Sequence, residues 1–224
     1  MKRNLILFIC FLTTSLILSQ TNKRAKFVTI QKVIPSIKVE LRYATNNNFI
    51  GKPINGYHSQ KAIITIETIP ALKKVQQELE KKGLSLIIYD SYRPQKAVNH
   101  FVKWAKDIND TLMKHQFYPN VAKKNLFKFG YIASRSRHSS GSTVDVSIFS
   151  NKTNKVLDMG SNYDFFEQKS WVNYKNLTPI QKKNRQLLQS VMLKNGFRNY
   201  PKEWWHFTLR HEPYRNVYFD FDVE

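Results

Sequence analysis

Two short motifs about sixty residues apart set the terms for any fold this chain adopts. The first runs Ser136-Arg-His138-Ser-Ser-Gly141-Ser-Thr-Val-Asp145 and the second Glu203-Trp-Trp-His206. Between them they supply two imidazoles and two carboxylates. A fold that brings them together assembles what a hydrolytic zinc site requires: three protein ligands, an open fourth position, and a carboxylate left over as general base.

The spacing says how each motif is carried. His138 and Asp145 are too far apart for one strand face, so the first ligand belongs to a loop that bends at Gly141 and leads into a strand bearing the second. In the stretch Ser142–Phe149, Val144, Val146 and Ile148 share one face, while Asp145 and Ser147 point the other way, toward an open metal site. In Trp204–Leu209, Trp205, Phe207 and Leu209 oppose His206 and Thr208. Glu203 is three residues from His206 and would face the wrong side of a regular strand, so a turn or bulge near Pro201-Lys202 has to redirect it.

Nitrogen and oxygen donors without thiolate suit a catalytic zinc more than a structural one. Iron held by two histidines and one carboxylate is the rival metal, but it leaves Glu203 without a task. A third element, Asp90-Ser-Tyr-Arg93-Pro94, places a guanidinium at a strand end, where it meets either a developing oxyanion or the neighbouring Asp90. His58, His100, His115 and His211 have no ligand pattern around them.

The remaining sequence alternates helices and strands without repeats or linkers. Thr68-Ile-Pro70 starts a helix with apolar stripe Leu72, Val75 and Leu79, stopped by Gly83. Leu84–Tyr89 reads as a buried strand. Pro94 opens a second helix burying Ala97, Val98, Phe101, Trp104 and Ala105. Thr178-Pro179 opens a third, with Leu187, Leu188, Val191 and Met192 inward and Gly196 at its end. Phe101, Trp104, Trp205 and Phe207 are core residues. This alternation admits both α/β and α+β.

The N-terminus sets the expected compartment. Lys2 and Arg3 precede an uncharged run from Leu5 to Leu18, the pattern of a secretory signal peptide over residues 1–20 rather than a bilayer-spanning helix. Cys10, the one cysteine, lies within that run, so disulfides are excluded from the remaining domain, residues 21–224. The net charge of +20 is spread along the chain in lysine pairs, with no basic arm or zinc-finger spacing. It therefore indicates association with an anionic envelope rather than nucleic acid.

The motifs Ser-x-His-x-x-Gly-x-x-x-Asp and Glu-x-Trp-His together resemble the zinc D,D-peptidases with the hedgehog-like fold. Leu41-Arg-Tyr43-Ala-Thr-Asn-Asn-Asn-Phe49, Ser91-Tyr-Arg93-Pro94, Asp158-Met-Gly160-Ser-Asn-Tyr-Asp164-Phe and Gly196–Phe207 draw the resemblance toward the VanX-type D-alanyl-D-alanine dipeptidases. The resemblance implies an α+β fold, with a small antiparallel sheet carrying the site and helices around it. It implies one zinc per chain on His138, Asp145 and His206, with Glu203 as base and Arg93 as transition-state stabiliser. By the same analogy Tyr43 and Asp158 hold the substrate ammonium and Ser136 its carboxyl end. Thr143 stands where a small alanine is common, narrowing the pocket, and Ser140 where many relatives have a basic residue. The implied activity is hydrolysis of D-Ala-D-Ala or related dipeptides in the periplasm or cell envelope. A D,D-carboxypeptidase or endopeptidase on peptidoglycan stem peptides is the alternative within the same chemistry, and a non-catalytic envelope-binding module the one outside it.

Overall fold

The weakly periodic N-terminal part of the chain folds into short pieces: β1 (Phe27–Thr29), a single helical turn α1 (Ile30–Val33), β2 (Lys38–Val39) and β3 (Ile63–Thr65). The structure is a computed structural model that describes residues 26–224. The expected signal segment, residues 1–20, lies outside the described residues.

Helices form where the apolar spacing predicts them. In α2 (Ile69–Glu80), Leu72, Val75 and Leu79 are buried. Its start differs from expectation: Thr68 caps nothing, because its hydroxyl pairs with Thr65 Oγ1 at 2.8 Å. Gly83, at φ +69°, turns the chain into β4 (Leu84–Asp90). Next, α3 (Gln95–Lys106) buries all five residues of its expected stripe. After a short turn α4 (Lys114–Phe117) come β5 (Thr143–Ser150) and its hairpin partner β6 (Lys155–Val156). A capping box between Thr178 and Gln181 starts α5 (Pro179–Lys194), which leads into β7 (Phe197–Tyr200) and β8 (Glu203–Leu209).

The main sheet runs β2-β4-β5-β8-β7, with β6 beside the far end of β5. All its pairings are antiparallel except β2 with β4. A parallel neighbour requires a crossover, and the segment containing β3 and α2 supplies it. Helices α2 and α5 pack beside one another and against the sheet. Val144, Val146 and Ile148 are fully buried, as expected. Asp145 and Ser147 are buried too, so the opposite face is roofed by loops and Asp145 is reached only through a cleft. Behind that cleft Tyr43, Phe49, Phe101, Trp104 and Phe166 interlock, with neighbouring ring centroids 4.9–6.0 Å apart. Burial of each large apolar side chain contributes about 1.5–3 kcal/mol, so this wall is stiff where the site needs stiffness.

Candidate active site

Strand register puts three polar residues in one row. Asp90 on β4 pairs with Asp145 on β5 after a register shift past Ile88, and Asp145 pairs with His206 on β8. Three neighbouring strands thereby present a carboxylate, a carboxylate and an imidazole at one level of the sheet.

His138 arrives from a helical turn, Arg137–Ser140, capped by Ser136, whose hydroxyl accepts from the His138 N–H. Gly141 ends that turn at φ +80°, and a Cβ there would collide with the Phe27 ring. Two constraints thus require glycine at the bend that the motif spacing predicted. Nδ1 of His138 lies 2.6 Å from the Ser91 carbonyl. Donation to that carbonyl fixes the tautomer and leaves Nε2 with a free lone pair.

The three candidate ligand atoms form a nearly equilateral triangle. His138 Nε2 is 3.2 Å from Asp145 Oδ1 and 3.2 Å from His206 Nδ1, and the third side is 3.1 Å. Tetrahedral zinc with bonds of about 2.0–2.1 Å separates its ligand atoms by roughly 3.3 Å. Oδ1 of Asp145 is buried and has no hydrogen-bond partner, whereas Oδ2 receives the Tyr163 hydroxyl at 3.0 Å and Arg93 Nη2 at 3.5 Å. One oxygen is held and the other is left for a cation, so the residues fit a zinc ion. Burial alone would raise the Asp145 carboxyl, but the two imidazoles outweigh it and hold the group well below its usual range. For His206 burial works downward, and the adjacent Asp145 carboxylate outweighs it and raises the imidazole.

Glu203 reaches the site through the irregularity that its position demanded. On β7, Asn199 and Tyr200 are consecutive, yet their β8 partners are Phe207 and Glu203. Residues 204–206 therefore bulge out of the β7 pairing, and the bulge brings Glu203 round to the side of His206, Oε2 to Nδ1 3.5 Å. Its carboxyl is pushed up to about 7, chiefly by burial, with the Asp145 charge adding to the rise and His206, Arg93 and Lys202 opposing it. A carboxylate near neutrality is matched to moving a proton in both directions.

Arg93 meets the neighbouring Asp90, one of the two partners that its sequence position allowed, and lines the cleft. Its Nε bonds Asp90 Oδ2 at 2.8 Å, and its guanidinium lies over the Tyr43 and Phe101 rings at 5.0 and 5.2 Å. Asp90 also accepts from Tyr57 at 2.6 Å. The ion pair with Asp90 aims the remaining N–H groups into the cleft rather than competing with that role.

The cleft, about 240 Å³, is lined by Tyr43, Arg93, Ser136, His138, Asp145, Asp164, Glu203 and His206 among others. Asp158 is not among them, which corrects the expectation drawn from the resemblance. Its oxygens accept from the Gly160 N–H and from Gln181 Nε2, and it lines a separate depression with Arg42 and Lys169. The acidic group of this segment that does line the cleft is Asp164, six residues on, in a left-handed conformation at φ +58° that aspartate tolerates. Tyr43, fully buried, donates its hydroxyl proton to Asp164 Oδ2 at 2.8 Å. Burial, reinforced by the Asp145 charge, raises the Asp164 carboxyl well above its ordinary value. Thr143 does not narrow the pocket: its hydroxyl pairs with that of Thr208 across β5 and β8 at 2.9 Å. Ser140 donates to Glu212, which also binds Arg198. Among the described residues, His138, Asp145 and His206 are the one cluster of potential ligands, and the other histidines stay outside it.

Comparison with known proteins gives the family. The family model Peptidase_M15, D-ala-D-ala dipeptidase, matches residues 23–224. The chain is 36% identical over 198 residues to a D-alanyl-D-alanine dipeptidase of Enterococcus faecium and 37% identical over 197 residues to one of Enterococcus faecalis, covering 88% of this chain and 98% of each relative. A D-alanyl-D-alanine dipeptidase of Escherichia coli is 30% identical over 184 residues, 82% of this chain and 84% of that protein. Among solved structures, a Zn(II) complex of a mutant of the vancomycin resistance D,D-pentapeptidase VanY aligns at TM-score 0.42 and 16% identity over 68% of this chain and 75% of its own. With the match running from end to end of the described domain, the chain belongs to the Peptidase_M15 family of D-Ala-D-Ala dipeptidases.

Proposed function

We propose that this protein is a zinc-dependent D,D-dipeptidase that hydrolyses D-Ala-D-Ala. The observation that carries the reading is the juxtaposition of a three-atom candidate ligand triangle with a spare, half-buried carboxylate 3.5 Å from one of its members. His138, Asp145 and His206 would hold one zinc per chain, which would supply Lewis acidity toward the scissile carbonyl and toward water. Glu203 takes a proton from the attacking water and delivers it to the departing amine. Arg93, fixed by Asp90, donates to the oxygen on which negative charge develops. Asp164 receives the free ammonium of the dipeptide, and Ser136 lies at the cleft wall for its carboxylate.

The relatives named as D-alanyl-D-alanine dipeptidases support the substrate. The basic N-terminus followed by the uncharged run Leu5–Leu18 supports export, with action in the periplasm or cell envelope on wall-derived peptides. No helix among the described residues is long and apolar enough to cross a membrane.

The test is D-alanine release by the purified chain from D-Ala-D-Ala and from N-acetyl-D-Ala-D-Ala, with and without zinc chelation. Cleavage of only the free dipeptide, lost on chelation and restored by zinc, is expected, because acetylation leaves Asp164 without its partner. Equal cleavage of both would assign a carboxypeptidase instead.

A further inference from the structure

We infer that Tyr163 is a positioning residue that couples ammonium recognition at Asp164 to the metal ligand Asp145. The geometry is a continuous chain of four side chains. Asp145 Oδ2 lies 3.0 Å from the Tyr163 hydroxyl, that hydroxyl 3.1 Å from the Tyr43 hydroxyl, and the Tyr43 hydroxyl 2.8 Å from Asp164 Oδ2. All four groups are buried.

Counting protons shows why the chain transmits. Each phenol has one. The Tyr43 proton is committed to Asp164, a carboxylate acceptor. The Tyr163 proton has two acceptors in reach, Asp145 Oδ2 and the Tyr43 oxygen, and serves one at a time. Once ionised, Asp164 polarises the Tyr43 hydroxyl and makes its oxygen a stronger competitor, so the Tyr163 proton is shared between that oxygen and Asp145 Oδ2. An ammonium on Asp164 relieves that pull and returns the proton to Asp145 Oδ2. The carboxylate is then fixed by its outer oxygen and offers Oδ1 alone to the cation. Packing holds the ring in place for both arrangements, since Tyr163 stacks on Tyr89 with centroids 4.9 Å apart and meets Trp205 edge-on at 5.4 Å.

This inference rests on the dipeptidase reading for the identity of the ammonium, but its first test does not. Removing a partner of a metal ligand costs about 10–100-fold in metal affinity. Zinc affinity of the substrate-free protein, measured by competition with a chromophoric chelator, should fall about tenfold in Tyr163→Phe. It should hold or rise, by up to about fivefold, in Tyr43→Phe, which removes the competing acceptor and keeps the Tyr163–Asp145 bond. A role confined to packing would move both variants alike or neither, and either result would overturn the relay.

The second test uses a Glu203→Gln background to prevent turnover. D-Ala-D-Ala should tighten zinc at least about fivefold more than N-acetyl-D-Ala-D-Ala does, the lower end of ordinary coupling between sites. That difference should vanish in both tyrosine variants. A difference that survives in Tyr163→Phe overturns the relay and leaves the dipeptidase reading standing. Failure of D-Ala-D-Ala to bind overturns the reading of the substrate, while the zinc comparison still decides the role of Tyr163.

Discussion

Asp145 Oδ1 and His206 Nδ1 lie 3.1 Å apart because the two residues are direct partners across β5 and β8. The sheet itself, not a flexible loop, sets that side of the ligand triangle. Asp145→Ala should therefore lower zinc affinity by at least about 100-fold, beyond the range seen when only a ligand's supporting partner is lost. Chelator competition measures it, and an affinity within tenfold of wild type would remove Asp145 from the ligand set.

Arg93 is aimed by Asp90, and a lysine at the same place cannot both keep the Nε contact and reach the cleft. Arg93→Lys should reduce kcat by about 10²–10³, the cost of one donor to a developing oxyanion. KM for D-Ala-D-Ala should change little. A change confined to KM would make Arg93 a ground-state binding residue.

Asp164 gives the pH dependence a sign. Its carboxyl is raised by burial, with the Asp145 charge adding to it, so it stays protonated above the usual carboxylate range, and only the ionised form pairs with an ammonium. KM for D-Ala-D-Ala should fall as pH rises through that raised value, and Asp164→Asn should flatten the profile at a high KM. Stability runs the other way. A folded-state value above the unfolded one means stability is fully present below the unfolded value and is lost as pH rises through the folded one. The substrate-free Asp164→Asn protein should therefore melt higher than wild type at pH 8, with the gap closing toward pH 4. A lower melting temperature at pH 8 would contradict the assignment.

The clustering of His138, Asp145 and His206 was legible because histidine and carboxylate carry their chemistry in their identity, and the three long helices because their apolar stripes recur at helical spacing. Alternation in β5 showed which side Asp145 takes, but not that loops roof that side. Glu203 announced a conflict with strand geometry, and the bulge over residues 204–206 resolves it. The acidic residue of the cleft was missed for a physical reason. Asp158 and Asp164 share an irregular segment with no period to separate inward from outward. Only the contacts show one acid bound to Gly160 and Gln181 and the other to Tyr43. Tyr163 was hidden likewise, since a buried tyrosine reads as core until its hydroxyl partners are known.

Gly141 tests the link between fold and site. A side chain there meets both a positive φ and the Phe27 ring, a combined cost of roughly 3 kcal/mol. Gly141→Ala should lose about that much stability in denaturant unfolding and weaken zinc binding, because His138 sits on the turn that Gly141 ends. Unchanged stability would show that the turn yields freely.

The account stands most directly on Glu203. In Glu203→Gln, D-Ala-D-Ala turnover should fall by about 10²–10⁴, while one zinc per chain is retained at near wild-type affinity. Turnover within a few-fold of wild type, with zinc bound, would contradict the assignment of Glu203 as the base.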